Sequence, residues 1–189
     1  MIDLFDGHCD TILKCYLEGM SMCRSPGHLD LERTRKFGRY AQFFAVFGSP
    51  EDMSGRALWE VFLEEAALLQ WELEANSDRV ALCRTGAEAE AAFQAGKAAA
   101  FFSAEGAELL DCDLEKLRIA HKMGVRAVNL TWNHPNALSG TNAKEQDRGL
   151  SEQGRAFVRE MDALGMLVDV SHLSDPGFWD VIEVSTRPI

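Results

Sequence analysis

Tyr40 to Phe47 and Lys97 to Ser103 are almost unbroken apolar runs, and helical stretches separate such runs along the chain. A strand that stays apolar on both faces is buried on both, which is the signature of a parallel sheet covered by helices. Parallel neighbours need a crossover, and here the order strand, helix, strand repeats. Thr11 to Gly19 and Leu29 to Arg39 read as helices after the first strand, with a loop from Ser21 to Gly27 between them. Tyr40 to Phe47 reads as the second strand, bounded by Gly48, Ser49 and Pro50. Ser54 to Asn76 predicts the longest helix, with Leu58, Val61, Phe62, Leu69 and Leu73 as its buried stripe. Val80 to Cys83 predicts an accessory strand and Ala87 to Gln94 a helix stopped by Gly96. Lys97 to Ser103 and Val125 to Trp132 predict the third and fourth main strands, with a helix from Leu114 to Met123 between them. A long polar loop, Asn133 to Gly149, leads to a helix capped by Ser151 and closed at Gly165. Met166 to His172 is the fifth strand, Phe178 to Val184 a last helix, and Arg187 to Ile189 opens a sixth strand.

At 189 residues and 47% apolar content, the chain can bury one sizeable core, and residues 1–189 read as a single domain. Nineteen basic against 30 acidic residues give a net charge of −11, which argues against nucleic acid as a partner. The five cysteines show no CxxC spacing, so free thiols in a reducing cytoplasm are expected. No basic leader followed by an apolar run opens the sequence, so no signal peptide or membrane span is expected.

The chemistry-bearing residues gather at strand ends. Ile2 to Thr11 reads as a short strand running into His8 and Asp10, which alternation puts on one face with Cys9 opposite. An imidazole and a carboxylate aimed together suit a divalent metal; the alternative is an aspartate that merely holds a structural histidine. Glu105 shares a face with Phe101 and Ser103 at the end of the third strand, and His172 shares one with Val168 and Val170 at the end of the fifth. Asp169 and Ser171 face the other way and read as structural, His28 as a hydrogen-bonding loop residue, and His121 as a surface residue at a helix C-terminus. An open sheet and a (β/α)8 barrel both place function at the carboxyl ends of strands. Only the closed barrel brings the ends of strands one, three and five around one axis, so a TIM barrel of metal-dependent hydrolase type is the expected fold. No GxGxxG or GxxxxGK loop competes with it.

Asp6-Gly7-His8-Cys9-Asp10-Thr11 resembles the opening motif of the membrane (renal) dipeptidases, a zinc dipeptidase family with bacterial members. The resemblance continues through Ala41 to Phe44, Glu105-Gly106, Gly124 to Arg126, Leu130 to Asn133 and Gly149 to Ser151, and closes on Gly165 to His172. It implies a (β/α)8 barrel with two zinc ions. His8 and Asp10 would bind the first, Glu105 would bridge both, and His172 would bind the second. It also makes Glu105 and Asp10 the catalytic pair. Two metals about 3.5–4 Å apart can share a hydroxide and polarise a scissile carbonyl, and this suits hydrolysis of a dipeptide.

Two departures stand out. Trp132 occupies a position where many members carry a substrate-contacting histidine, and His134 follows two residues later, either as its replacement or as a plain loop histidine. The family also continues past Ile189 with a further histidine for the second zinc, an arginine for the substrate carboxylate and a late aspartate. A complete barrel takes about 250 residues, so about five of eight βα units are expected here. The leading expectation is therefore a zinc dipeptidase represented by its N-terminal part, inactive alone, that forms a homo-oligomer or associates with the remaining half of the barrel. The alternatives are another amidohydrolase-like metal hydrolase, a non-catalytic metal- or partner-binding fragment, and a misfolding piece.

Overall fold

The computed structural model describes residues 1–49 and 53–189, so Pro50, the last residue of the expected boundary after the second strand, lies outside the described residues. The elements follow in the order β1 (Leu4–Asp6), α1 (Thr11–Glu18), α2 (Leu31–Thr34), β2 (Tyr40–Phe47), α3 (Leu58–Ala75), β3 (Val80–Leu82) and α4 (Gly86–Gln94). Then come β4 (Ala98–Glu105), a 3-10 turn (Ala107–Leu110), α5 (Leu114–Met123), β5 (Val125–Asn129), α6 (Glu152–Leu164), β6 (Leu167–Asp169) and α7 (Asp175–Val184). The strands form one sheet in the order β1-β2-β4-β5-β6, with β3 beside β4, so the main strands lie in chain order. Leu4 pairs with Tyr40, Val80 with Ala98 and Ala127 with Leu167, all in parallel register.

The chain forms two compact units, Met1–Phe47 with Leu63–Ser103, and Gly48–Phe62 with Ala104–Ile189. In the first, all eight residues of β2 are buried, as its apolar pattern requires. Phe43 stacks on Phe101 at 5.1 Å and meets Phe5 edge-on at 6.0 Å. Ala41, Cys83, Ala89, Ala92 and Ala99 make a close-packed patch of small side chains. The buried Gln42 is fully used: its Nε2 donates to the Phe43 carbonyl at 2.9 Å, and its Oε1 accepts from the Tyr40 hydroxyl at 2.5 Å.

In the second unit, Phe157, Val158 and Met161 form the buried stripe of α6. Ser151 caps that helix through Gly154 N, Ser174 caps α7 through Gly177 N, and Gly124 and Gly165 close α5 and α6 in the left-handed conformation. Buried Asp162 accepts from Ser185 Oγ and Thr186 N, and so ties the end of α7 back to α6.

Several elements are shorter than their sequence patterns suggest. Leu29 to Arg39 yields only the four-residue α2, because Asp30 caps at once and the chain turns again before Gly38. The long helix begins at Leu58 rather than Ser54, since Ser54 and Gly55 both hold positive φ. β5 ends at Asn129, short of Trp132, and β6 ends at Asp169, short of His172. Arg187 to Ile189 forms no strand.

Candidate metal centre

β1 stops at Asp6, whose Oδ1 accepts from His8 N at 3.2 Å. Cys9 continues alongside β2 through its backbone alone: its N donates to the Phe43 carbonyl, and its carbonyl accepts from Ala45 N, each at 3.1 Å. Those two bonds fix the residues on either side. Asp10 is the N-cap of α1, yet its carboxylate makes no capping bond to the helix. It faces His8 instead, Nε2 to Oδ1 at 3.1 Å. The contact therefore arises from a turn entering a helix, not from strand alternation. The imidazole beside it holds the Asp10 carboxyl below the usual range, against a smaller opposing effect of burial. Burial pushes the Cys9 thiol up to about 11, so it stays a neutral thiol.

In the second unit, Glu105 ends β4 with its side chain 8% exposed, and its Oε1 lies 3.2 Å from His172 Nε2. His172 reaches it from beyond β6, in a turn where its φ is +68°. Alternation along the fifth strand does not deliver it; the left-handed turn does. Three backbone features hold that turn: Asn142 N donates to the His172 carbonyl at 2.9 Å, Ser171 N donates to Asp169 Oδ1 at 2.8 Å, and Thr141 bridges Leu173. Asp169 thus has the structural role that its face suggested. The other ring nitrogen, Nδ1, lies 3.2 Å from Asn133 Oδ1, which leaves Nε2 for the carboxylate side. Sequence reading did not single out Asn133; its signal was its place directly after Trp132 at a strand end.

Trp132 is half-buried in the loop after β5, with its ring 5.8 Å from that of His134. His134 Nδ1 lies 2.9 Å from Lys144 Nζ. The long loop is tightly bonded. Arg148 Nη2 donates to the carbonyls of Asn136 and Ser139, each at 2.8 Å, and Asn136 Nδ2 donates to Glu108 and to the Leu130 carbonyl. Burial raises the pKa of Glu108. Asn129 Oδ1, at the end of β5, and Thr131 Oγ1 just beyond it are buried without a hydrogen-bond partner among the described residues.

Each unit thus presents an imidazole nitrogen against a carboxylate oxygen near the carboxyl end of a strand, in one case through a turn into a helix and in the other from a left-handed turn onto a strand-end glutamate. Nitrogen and oxygen donors of this kind suit zinc. One of the histidines already has the outer hydrogen bond that a ligating imidazole requires.

The family model for membrane dipeptidases matches residues 1–189. Dipeptidase tcpJ from Claviceps purpurea is 34% identical over 172 residues, covering 86% of this chain and 40% of its own length. A metallo peptidase from Rhodobacter sphaeroides, solved with a phosphinate mimic of the dipeptide L-Ala-D-Ala, superposes with a TM-score of 0.83 at 28% identity, over 99% of this chain and 63% of that one. A second solved metallo peptidase, the dipeptidase AC, gives 0.84 at 30% identity over 97% and 60% of the two chains. The chain therefore spans less than two thirds of the length of these relatives, and carries the α/β fold of the matching part of their barrels. Matched along its whole length, it belongs to the membrane dipeptidase family, peptidase family M19.

Proposed function

We propose that the complete protein is a zinc-dependent dipeptidase that hydrolyses the peptide bond of dipeptides. The observation that carries this reading is the Glu105–His172 contact, in which a left-handed turn sets an imidazole against a buried strand-end carboxylate. In this reading His8 and Asp10 of the first unit and Glu105 and His172 of the second would supply the metal donors. His8 and Asp10 would hold one ion, His172 the other, and Glu105 both. Zinc supplies Lewis-acid polarisation of the scissile carbonyl and a water whose pKa is brought near neutrality. The chain's own residues do the rest. Asn133 fixes the ring of His172, Asp6 fixes the backbone at His8, and Trp132 with His134 lines the substrate side. The dipeptide mimic held by the Rhodobacter relative supports the substrate class. The proposed setting is cytoplasmic. Among the described residues no helix is long and apolar enough to cross a membrane.

The test is Glu105→Gln in the complete protein, read by elemental analysis and dipeptide hydrolysis. Loss of one metal together with nearly all turnover is expected. Two retained metals with near-normal turnover would refute the assignment.

A further inference from the structure

A cavity of about 460 Å³ in the first unit is lined by His8 and Asp10 together with two cationic-type side chains outside the proposed ligand set, Lys14 and His28. Lys14 lies one helical turn beyond Asp10, about 6 Å along the axis of α1, and therefore on the same side of the helix. His28 comes from the loop between α1 and α2, and its imidazole makes no hydrogen bond among the described residues.

That loop has little regular structure but is firmly built. Buried Asp30 accepts from Arg33 N at 2.8 Å, from Arg33 Nε at 2.9 Å and from Ser25 N at 3.2 Å. Arg33 reaches back to the Gly27 carbonyl, next to His28. Buried Glu72 accepts from Met22 N at 3.1 Å and anchors the loop's other end on α3. The fold thus holds an imidazole in place at the wall of the cavity that the His8–Asp10 pair lines, and Lys14 and His28 also line a second, smaller cavity together with Glu18.

We propose that Lys14 and His28 form a subsite for the side-chain carboxylate of an acidic dipeptide. The inference rests on the dipeptidase reading above and adds the substrate class. An ammonium offers donors only and repels a cation, and an imidazole adds at least one N–H donor, so the two suit an anion rather than a second metal. The counter-charges are also in view. Asp6 and Asp10 line the same cavity, and Glu18 holds Lys14 at 2.9 Å in a pair whose side chains are both more than half exposed. An exposed pair of this kind is weak, so a substrate carboxylate competes for the ammonium on favourable terms.

The complete protein tests this with two dipeptides that differ only in the side chain, Ala-Asp and Ala-Asn. A preference of about tenfold or more for Ala-Asp in kcat/KM is expected, the range of one charge-assisted hydrogen bond. In the Lys14→Met/His28→Gln variant this ratio should collapse towards one, Lys14→Arg should keep it, and Glu18→Gln should raise it. Chelator-stripped protein gives a reading independent of turnover: titration calorimetry should show tighter binding of Ala-Asp than Ala-Asn in the parent and equal binding in the double variant. Equal handling of the two peptides by the parent, or a preference that survives the double substitution, overturns the subsite. So does a loss that follows amidation of the peptide's C-terminus instead of its side chain. Absence of hydrolysis with the binding difference intact would sink the dipeptidase reading and leave the subsite standing.

Discussion

Glu65 is a buried carboxylate with half its oxygens bonded: Phe47 N donates to Oε2 at 3.0 Å, and Oε1 has no hydrogen-bond partner among the described residues. Burial, and to a lesser degree the negative charge of Asp10, push its pKa up to about 8 against the Phe47 bond. The folded state therefore keeps a proton that the unfolded chain gives up from about pH 4.5. The stability this contributes is complete below that pH and is lost as pH rises towards 8. Tm should fall over that interval, and Glu65→Gln should flatten the fall, which a Tm-against-pH series would check. An unchanged slope in the variant would assign the loss to other groups. At Asn133, replacement by alanine releases the Nδ1 side of His172. Metal affinity should drop about 10–100-fold, measured by chelator competition, with little change in secondary structure. Neither residue announces itself in a sequence. The isolation of Glu65 is a property of what surrounds it, and Asn133 acts through a histidine far along the chain. His8 and Asp10 could be picked out because an imidazole and a carboxylate two residues apart are chemically conspicuous. The reason they meet, a cap position freed from capping, could not.

Strands and helices were legible where local pattern and burial agree. β2 has the bounds of its apolar run, and α6 has those set by Ser151 and Gly165, because cap and stripe there coincide. Legibility failed where tertiary contacts ended an element early. The Met166 to His172 run looks continuous, yet the chain leaves the sheet after Asp169 to bond with the 141–142 segment. The same shortening of β5 puts Trp132 in a loop rather than on a strand face. It stands half-buried beside His134, so Trp132→Ala in the complete protein should change KM or side-chain preference several-fold while Tm barely moves. Unchanged kinetics with a large fall in Tm would make it a packing residue. For the cap itself, Ser151→Ala should cost about 1 kcal/mol in denaturant unfolding.

For the whole molecule, the repeated strand–helix order marked a parallel sheet in advance, and the main strands lie in chain order because repeated crossovers of one kind lay each strand beside the last. β1 and β6 end that order, and Phe5 and Leu167 on them are 62% and 41% exposed. Such edges invite pairing. Residues 1–189 expressed alone should therefore associate, bind at most one zinc weakly and hydrolyse no dipeptide, because in the proposed ligand set Glu105 and His172 would give a second ion two protein ligands where three are usual for a catalytic zinc. Sedimentation with metal analysis would decide, and a monodisperse, active monomer holding two zinc ions would contradict both the edge and the ligand argument.

The positive φ of His172 has a bearing on descent. A side chain with a β-carbon is strained there, while glycine would rest at no cost and asparagine at little. Drift alone should thus favour those two residues at this point of the turn. On the metal-binding role proposed for His172, position 172 is where relaxation should appear early in a lineage that no longer performs the chemistry, and a histidine still standing there becomes a sign that selection for turnover continues.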